Sequence, residues 1–243
     1  MKEPSSPLIP QLTLDCVVLG FHRDQLRVLL LRWKGTQEWS LPGGPVNQAE
    51  SVDGAAYRIL KERTGLEQIF LQQFHVFGEV VRYDRQKIQE KLKHLIDPDK
   101  WYQRAVSLGY YALVDYSKVQ PSPDEFTDEC AWWNLKELPE LLFDHIHIIE
   151  EAKKALRLQL SWAPIGNKLL PNKFTLPELQ RLYETILGRT LDPRNFQRKM
   201  LSMDILDRLP ERRKGGAHKS PYLYQFNQEK YEAVLKEGGL FFC

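Results

Sequence analysis

Between Trp39 and Leu66 the chain has few choices of local structure. Trp39-Ser40-Leu41-Pro42-Gly43-Gly44 reads as a strand ending in a Pro-Gly-Gly turn, where glycines can take positive φ. Ser51 can cap a helix running to about Thr64, and Gly65 stands where helices commonly stop in a left-handed turn. Along that helix Val52, Ala55, Ala56, Ile59 and Leu60 recur at three- and four-residue spacing, which predicts one buried face. The segment is a loop-helix-loop whose apolar side must be covered by the rest of the fold.

Gly44, Glu50, Arg58, Leu60, Glu62, Gly65 and Leu66 also hold the offsets of G-x5-E-x7-R-E-U-x-E-E-x-G-U, where U is a bulky aliphatic, and the stretch resembles a Nudix box. In Nudix hydrolases the box implies carboxylates on one helix face holding Mg2+, a hard ion that needs several oxygen ligands around a substrate diphosphate. The motif's three acids shrink here to one, because Arg58-Ile59-Leu60-Lys61-Glu62-Arg63 has Ile59 and Arg63 at acidic positions. Isoleucine removes an oxygen. Arginine also brings a cation toward the metal position, a repulsion of up to about 4 kcal/mol per unit charge at ~4 Å in an effective dielectric of about 20. Loss of a positioned general base removes roughly 10²- to 10⁴-fold in rate. The resemblance therefore implies a Nudix fold that does not hydrolyse by the usual route. No residue is assigned a catalytic or metal-binding role, and no cofactor is expected.

At 243 residues the chain has room for one or two domains. Its 42% hydrophobic and 27% charged residues match a soluble globular protein. No apolar run reaches membrane-spanning length, and the prolines of residues 1–10 interrupt any signal-peptide core. The cysteines, Cys16, Cys130 and Cys243, lack metal-like spacing and leave one unpaired in any disulfide scheme, so a reducing cytoplasm is the simplest setting.

The first part reads as mixed α and β. Leu14 to Phe21 and Leu26 to Arg32 are β-branched-rich runs around the polar turn His22-Arg23-Asp24-Gln25, a hairpin signal. Further strands are predicted over Ile69 to Val81, Val106 to Val114 and Ala131-Trp132-Trp133. Glu137 to Leu160 carries a helical pattern that Pro139 and the region of Asp144 can break, which gives a sheet packed between two helices. Between Arg82 and Arg104 lies a polar insertion whose Ile88, Leu92 and Leu95 share one helix face. It is either a wall near the ligand cleft or a solvated excursion.

A second unit follows Pro164-Ile165-Gly166-Asn167-Lys168-Leu169-Leu170-Pro171. Thr175 can cap a helix, Pro177 fits its first turn, and Glu178 suits the positive end of the helix dipole. Leu179, Leu182, Tyr183 and Ile186 form its buried stripe up to Gly188. Asp192-Pro193 repeats the start signal, with Phe196, Met200 and Met203 inward, a helix-turn-helix candidate. The outward Arg194, Asn195, Gln197 and Arg198 offer the groups that read guanine and adenine in a major groove. Residues 208–219 hold five Lys or Arg against one acid around a Gly-Gly turn, and Tyr222 to Phe226 closes a hairpin. That is the outline of a wing, with Arg212, Arg213, Lys214, His218 and Lys219 placed for phosphates. Residues 171–243 carry a net +4, which leaves −2 on the first 170.

The order of these segments resembles the Nudix-related transcriptional regulators, the NrtR-like family. The segments are the box, Pro164 to Asn172, Phe174 to Glu184, Arg194-Asn195-Phe196 and Leu223-Tyr224-Gln225-Phe226-Asn227. The resemblance implies an α+β chain: a Nudix α/β/α sandwich over residues 1–160 that senses a metabolite, followed by a winged helix-turn-helix over 161–243. It also implies a homodimer on double-stranded operator DNA, no membrane, and an effector such as ADP-ribose, a sugar or a sugar phosphate. Trp39, Glu50, Arg58, Glu62, Glu79, Arg82 and Tyr110 are the candidate ligand contacts. Each has a plainer role open to it: Arg58 and Glu62 as an i, i+4 ion pair, Tyr110 as core. The rival reading is an active hydrolase of a nucleoside diphosphate derivative, with Glu50 and Glu62 holding a metal with help from Glu79.

Overall fold

The computed structural model describes residues 11–65, 70–95, 104–119, 121–123, 126–213 and 220–236. Strands β1 (Gln11–His22) and β2 (Gln25–Trp33) form the expected hairpin. Arg23 and Asp24 turn it at φ 49° and 60°, the left-handed geometry that two-residue hairpins require. β3 (Trp39–Ser40), β4 (Gly43–Pro45), β5 (Phe70–Phe77), β6 (Ala105–Val114) and β7 (Thr127–Asn134) complete a seven-stranded sheet. Its order is β3-β2-β1-β6-β5, with β4 joined to β1 and β7 to β2. Leu14 to Gly20 are buried without alternation, so both faces of the sheet are covered.

The box helix α1 (Val52–Thr64) begins at Ser51, whose side chain accepts from the Gly54 N–H, and ends at Gly65 with φ 70°. Ala55, Ala56, Ile59 and Leu60 are its buried face. The Pro-Gly-Gly turn works differently from the expectation. Neither Gly43 nor Gly44 has positive φ; they continue as β4, pairing antiparallel with β1 through Asp15–Gly43 and Leu14–Gly44. Gly43 is needed for close approach, since a Cβ there would stand 2.5 Å from Asp15 Oδ1 and 2.8 Å from the Leu14 carbonyl oxygen.

Three other expectations are corrected. The strand over 69–81 stops at Phe77, leaving Val80 and Val81 on the surface, and Ile69 lies outside the described residues. The helix over 137–160 starts only at His145, as α3 (His145–Trp162). Leu141 is instead bridged to Trp39, and Phe143 takes φ 57°, so the backbone before it is not helical. The insertion is no solvated excursion. It forms α2 (Arg85–Leu92), capped by Asp84, whose Ile88, Leu92 and Leu95 pack on Trp33, Leu142 and Phe143. Lys91 reaches Glu38 at 2.9 Å and Glu140 at 3.1 Å, which fastens that helix beside the sheet.

Contacts divide the chain into two compact units. One holds Met1–Leu19, Val28–Ala112 and Val119–Ala152; the other holds Gly20–Arg27, Leu113–Lys118 and Lys153–Cys243. In the second, a short helix α4 (Gly166–Leu169), absent from the sequence reading, precedes α5 (Leu176–Leu187). Thr175 and Glu178 close a full capping box on α5, a device in which two otherwise orphaned N–H groups are satisfied. α6 (Pro193–Ser202) is capped by Asp192. β8 (Leu206–Arg212) pairs antiparallel with β9 (Tyr222–Phe226), and Phe174 adds a bridge to Tyr224. A last helix, α7 (Gln228–Lys236), was also not anticipated. Leu179, Leu182, Tyr183, Phe196, Met200 and Ile205 are the buried centre of this unit, with Tyr183 edge-on to Phe196 at 5.3 Å. No helix among the described residues is long and apolar enough to cross a membrane.

Candidate functional site

The first unit holds a cleft of about 280 Å3 between β1, the β3–β4 segment, α1 and the start of the insertion. Arg58, Ile59, Glu62 and Arg63 line it from α1, and Arg82 and Tyr83 from the insertion. Trp33, Phe126 and Phe143 supply aromatic wall, and Asp15 and His145 lie at its polar end. Three arginines thus face two carboxylates, a surface that favours an anion with a flat apolar portion.

The polar end is a connected network. Arg82 donates to both Asp144 oxygens at 2.7 Å and stands 3.7 Å from Asp15 Oδ2. Ser107 Oγ donates to Asp15 Oδ2 at 2.6 Å, and His145 Nε2 is 3.3 Å from Asp15 Oδ1. His145 Nδ1 accepts from the Leu41 N–H at 2.9 Å, so in this arrangement that nitrogen carries no proton and Nε2 is the donor. Burial pushes the Asp15 carboxyl up, but His145, Ser107 and Arg82 outweigh it and hold it below the usual carboxylate range. Arg82 likewise stays charged, because Asp144 and Asp15 outweigh its burial.

On the box helix the remaining carboxylates are already matched. Arg58 donates to Glu50 through Nε at 2.9 Å and Nη2 at 2.7 Å, to the Pro45 carbonyl at 3.2 Å, and to Glu62 at 3.5 Å. The Arg58 bond first, and the Asn47 N–H second, hold the Glu50 carboxyl down to about 2. Ile59, at a motif acid position, is 1% exposed and packs under the Gly44 backbone.

Of the seven residues chosen from sequence, Arg58, Glu62 and Arg82 are brought together in the cleft. Glu50 stands behind Arg58 as its ion-pair partner. Trp39 is buried edge-on to Trp133 at 5.2 Å, and its carbonyl accepts from the Leu142 N–H, so it belongs to the core and does not line the cleft. Glu79 lies in a separate shallow depression with Arg82, Tyr83, Arg85 and Arg104. Tyr110 is buried and donates to Asp53 at 2.7 Å, away from the cleft; burial and Asp53 push its hydroxyl up. Sequence reasoning missed Asp15, Tyr83, Asp144 and His145. Asp15 was legible as a carboxylate inside the apolar run of β1. His145 gave no local signal, since it meets Leu41 across 104 positions of chain.

In the second unit Arg194, Asn195 and Arg198 are exposed on α6, and Gln197 is half-buried beside them. Arg198 donates to Asn195 Oδ1 at 2.8 Å, so this pair is held in one orientation. On the wing, Tyr222 is stacked by two guanidinium groups, Arg208 at 3.5 Å and Arg212 at 3.9 Å from its ring centre, and accepts a hydrogen bond from Arg212. Arg213 is turned to Glu178, with both carboxylate oxygens within 2.7 Å, which ties the wing to the start of α5. Lys214, His218 and Lys219, like Leu66 of the box, lie outside the described residues.

A profile of the NUDIX domain matches residues 10–152, more than half of the chain, and one of the NrtR DNA-binding winged helix domain matches 166–226. The chain belongs to the Nudix-related transcriptional regulators of the NrtR type. Among curated relatives of this regulator is the ADPR responsive transcriptional repressor NtrR of Acinetobacter baylyi, 27% identical over 92% of this chain and 84% of the relative. Among solved structures, Shewanella oneidensis NrtR complexed with a 27mer DNA superposes with a TM-score of 0.72 at 27% identity, covering 91% of this chain and 95% of that one. A MutT/nudix family protein from Enterococcus faecalis gives 0.68 at 25% identity, covering 93% and 90%.

Nudix hydrolases imply a divalent ion on the box, and the residues of this NrtR-type regulator do not fit one. One acid position is a buried isoleucine, another is Arg63, and Glu50 and Glu62 both face Arg58. Among the described residues no group of three or more His, Cys, Asp or Glu is arranged to hold a metal ion.

Proposed function

We propose that the Nudix cleft of this regulator binds ADP-ribose, or a sugar or sugar phosphate of related chemistry, without cleaving it, and that occupancy changes the affinity of the winged unit for operator DNA. The observation that carries the reading is the bidentate Arg58–Glu50 pair beneath an intact cleft. The site keeps room and positive charge for an anion, while its carboxylates answer an arginine in place of a metal. The A. baylyi relative is named as ADPR responsive, and it aligns across both units. Only a ligand that binds one arrangement of the protein better than another can shift DNA affinity, so receptor and DNA reader belong on one chain.

The exposed face of α6, with Arg194, Asn195, Gln197 and Arg198, lies in the major groove in this proposal. Arg212, Lys214, His218 and Lys219 lie on phosphates, and Arg213 supports the wing through Glu178. Two copies occupy half-sites of one operator, in the cytoplasm. In this proposal the Nudix domain spans residues 1–160 and the winged-helix domain 161–243; family matches that end at 152 and begin at 166 support a division in this region, while the compact units part earlier, between Ala152 and Lys153.

Calorimetric titration of the full chain with ADP-ribose, pentoses and sugar phosphates tests the receptor, and a turnover assay with Mg2+ or Mn2+ over ADP-ribose and nucleotide sugars tests the chemistry. Saturable binding of one of them with no product is expected. Robust hydrolysis that disappears in Glu62→Gln overturns the proposal in favour of an enzyme.

A further inference from the structure

A hydroxyl both donates and accepts hydrogen bonds, whereas an ionised phosphate oxygen only accepts, so a carboxylate set beside an arginine separates the two chemistries. The polar end of the cleft has such a pair. Asp15 and Arg82 both line the cavity, with Arg82 Nη2 3.7 Å from Asp15 Oδ2. The protein uses only part of what each offers. Ser107 Oγ and His145 Nε2 each fill one acceptor site of Asp15, and an ionised carboxylate has about four. Arg82 directs Nε and Nη2 to Asp144, while Nη1, with its further N–H donors, has no hydrogen-bond partner among the described residues. Only 7% of the Arg82 side chain is exposed, and the rings of Phe77 and Tyr83 lie 5.9 Å from its guanidinium, so it is fixed in place. Tyr83 and Phe143, edge-on at 5.1 Å, also line the cleft and give it an apolar side here.

We infer that Asp15 and Arg82 form a subsite for the vicinal hydroxyls of a sugar ring, and that Asp15 keeps phosphate away from this end of the cleft. The inference rests on the receptor reading above and deepens it by naming the groups that recognise the sugar. One hydroxyl accepts from Arg82 and donates to Asp15, and its neighbour on the ring donates to the remaining carboxylate site. Such bonds are charge-assisted, and a ligand that lacks the hydroxyl leaves buried polar groups without a partner, which is where discrimination becomes large. A phosphate in the same place would set its negative charge against Asp15 with no proton to offer. An effector that carries both groups is thereby oriented, with its sugar hydroxyls at Asp15 and its phosphates elsewhere in the cleft.

The test is calorimetric titration of the full chain with ADP-ribose, with its analogues deoxygenated at the adenosine ribose or at the terminal ribose, and with ribose, arabinose and 2-deoxyribose. Deoxygenation of one of the two rings is expected to weaken binding roughly 10- to 100-fold, the value of a charge-assisted hydrogen bond. Asp15→Asn weakens the parent ligand by a similar factor, although it removes a negative charge from the path of an anion, and it leaves the affinity of the sensitive deoxy analogue nearly unchanged. A merely structural role for Asp15 would weaken parent and analogue alike. Melting temperatures check that the variant is folded, and the wild-type comparison of parent with deoxy ligands needs no variant at all. ADP-ribose that binds with no loss on deoxygenation of either ring, or an equal loss of parent and analogue in Asp15→Asn, overturns the subsite and leaves the receptor reading standing. Ribose or arabinose bound in preference to 2-deoxyribose, with no binding of ADP-ribose, upholds the subsite and assigns the hydroxyls to a free sugar. No binding of any of these ligands removes the receptor reading and the subsite with it.

Discussion

Arg58 decides how the box behaves, because a single guanidinium holds Glu50 in a fork and reaches Glu62 as well. The Glu50 carboxyl lies at about 2 in the folded chain against an ordinary 4.5. A carboxylate held down in this way contributes stability above its unfolded value and loses it as pH falls through the folded one. Thermal melts of wild type and Arg58→Leu should therefore differ most above about pH 4.5 and converge toward pH 2. A gap of constant size across that range would show that the pair does not control the titration. At this scale the sequence was a partial guide. Arg58, Glu62 and Ile59 could be placed from motif spacing, because a helix fixes neighbours three and four apart. Asp144 and His145 could not, because their partners Arg82 and Leu41 come from distant chain, and only the folded sheet brings those segments together.

Whole elements were more legible than single side chains where a local signal was strong. Ser51 and Gly65 bound α1, and Thr175, Pro177 and Gly188 bound α5, because caps satisfy the end groups of a helix whatever surrounds it. Helical periodicity over 137–160 misled at its start. Leu141 and Leu142 are apolar because they pack on the Trp39 strand and on the insertion helix, which tertiary context alone determines. The helix-turn-helix carries its own tests. Arg198 is oriented by Asn195, so Arg198→Ala should relax base preference at one operator position at a cost of about 1–3 kcal/mol. Binding to random duplex, measured by fluorescence anisotropy beside a selected site, should hardly change. Arg213 behaves differently, because it braces the wing against Glu178. Arg213→Ala and Glu178→Ala should weaken selected and random duplex alike, and a loss confined to the selected site would place Arg213 on a base.

For the whole molecule the decisive quantity is the coupling between the cleft and the DNA-reading face. If ADP-ribose changes operator affinity by some factor, operator must change ADP-ribose affinity by the same factor, since both describe one thermodynamic cycle. Couplings of this kind run from about 5- to 150-fold. A duplex obtained by selection from random sequence serves as the operator, and two titrations close the cycle: duplex binding with and without ADP-ribose, and ADP-ribose binding with and without duplex. Equal factors are expected, in the same direction. At an ADP-ribose concentration that just saturates wild type, the apparent shift in duplex affinity should shrink in Arg82→Ala, because Arg82 lines the cleft and its loss lowers occupancy. Salt needs separate control, since each phosphate contact released changes the logarithmic salt slope by about 0.9. A matched salt series at fixed ADP-ribose distinguishes a shift between protein arrangements, which leaves the slope intact, from plain competition of an anion for the basic wing, which flattens it. Equal factors with an unchanged slope assign regulation to the cleft; a flattened slope that survives in Arg82→Ala assigns it to the wing and ends the receptor model.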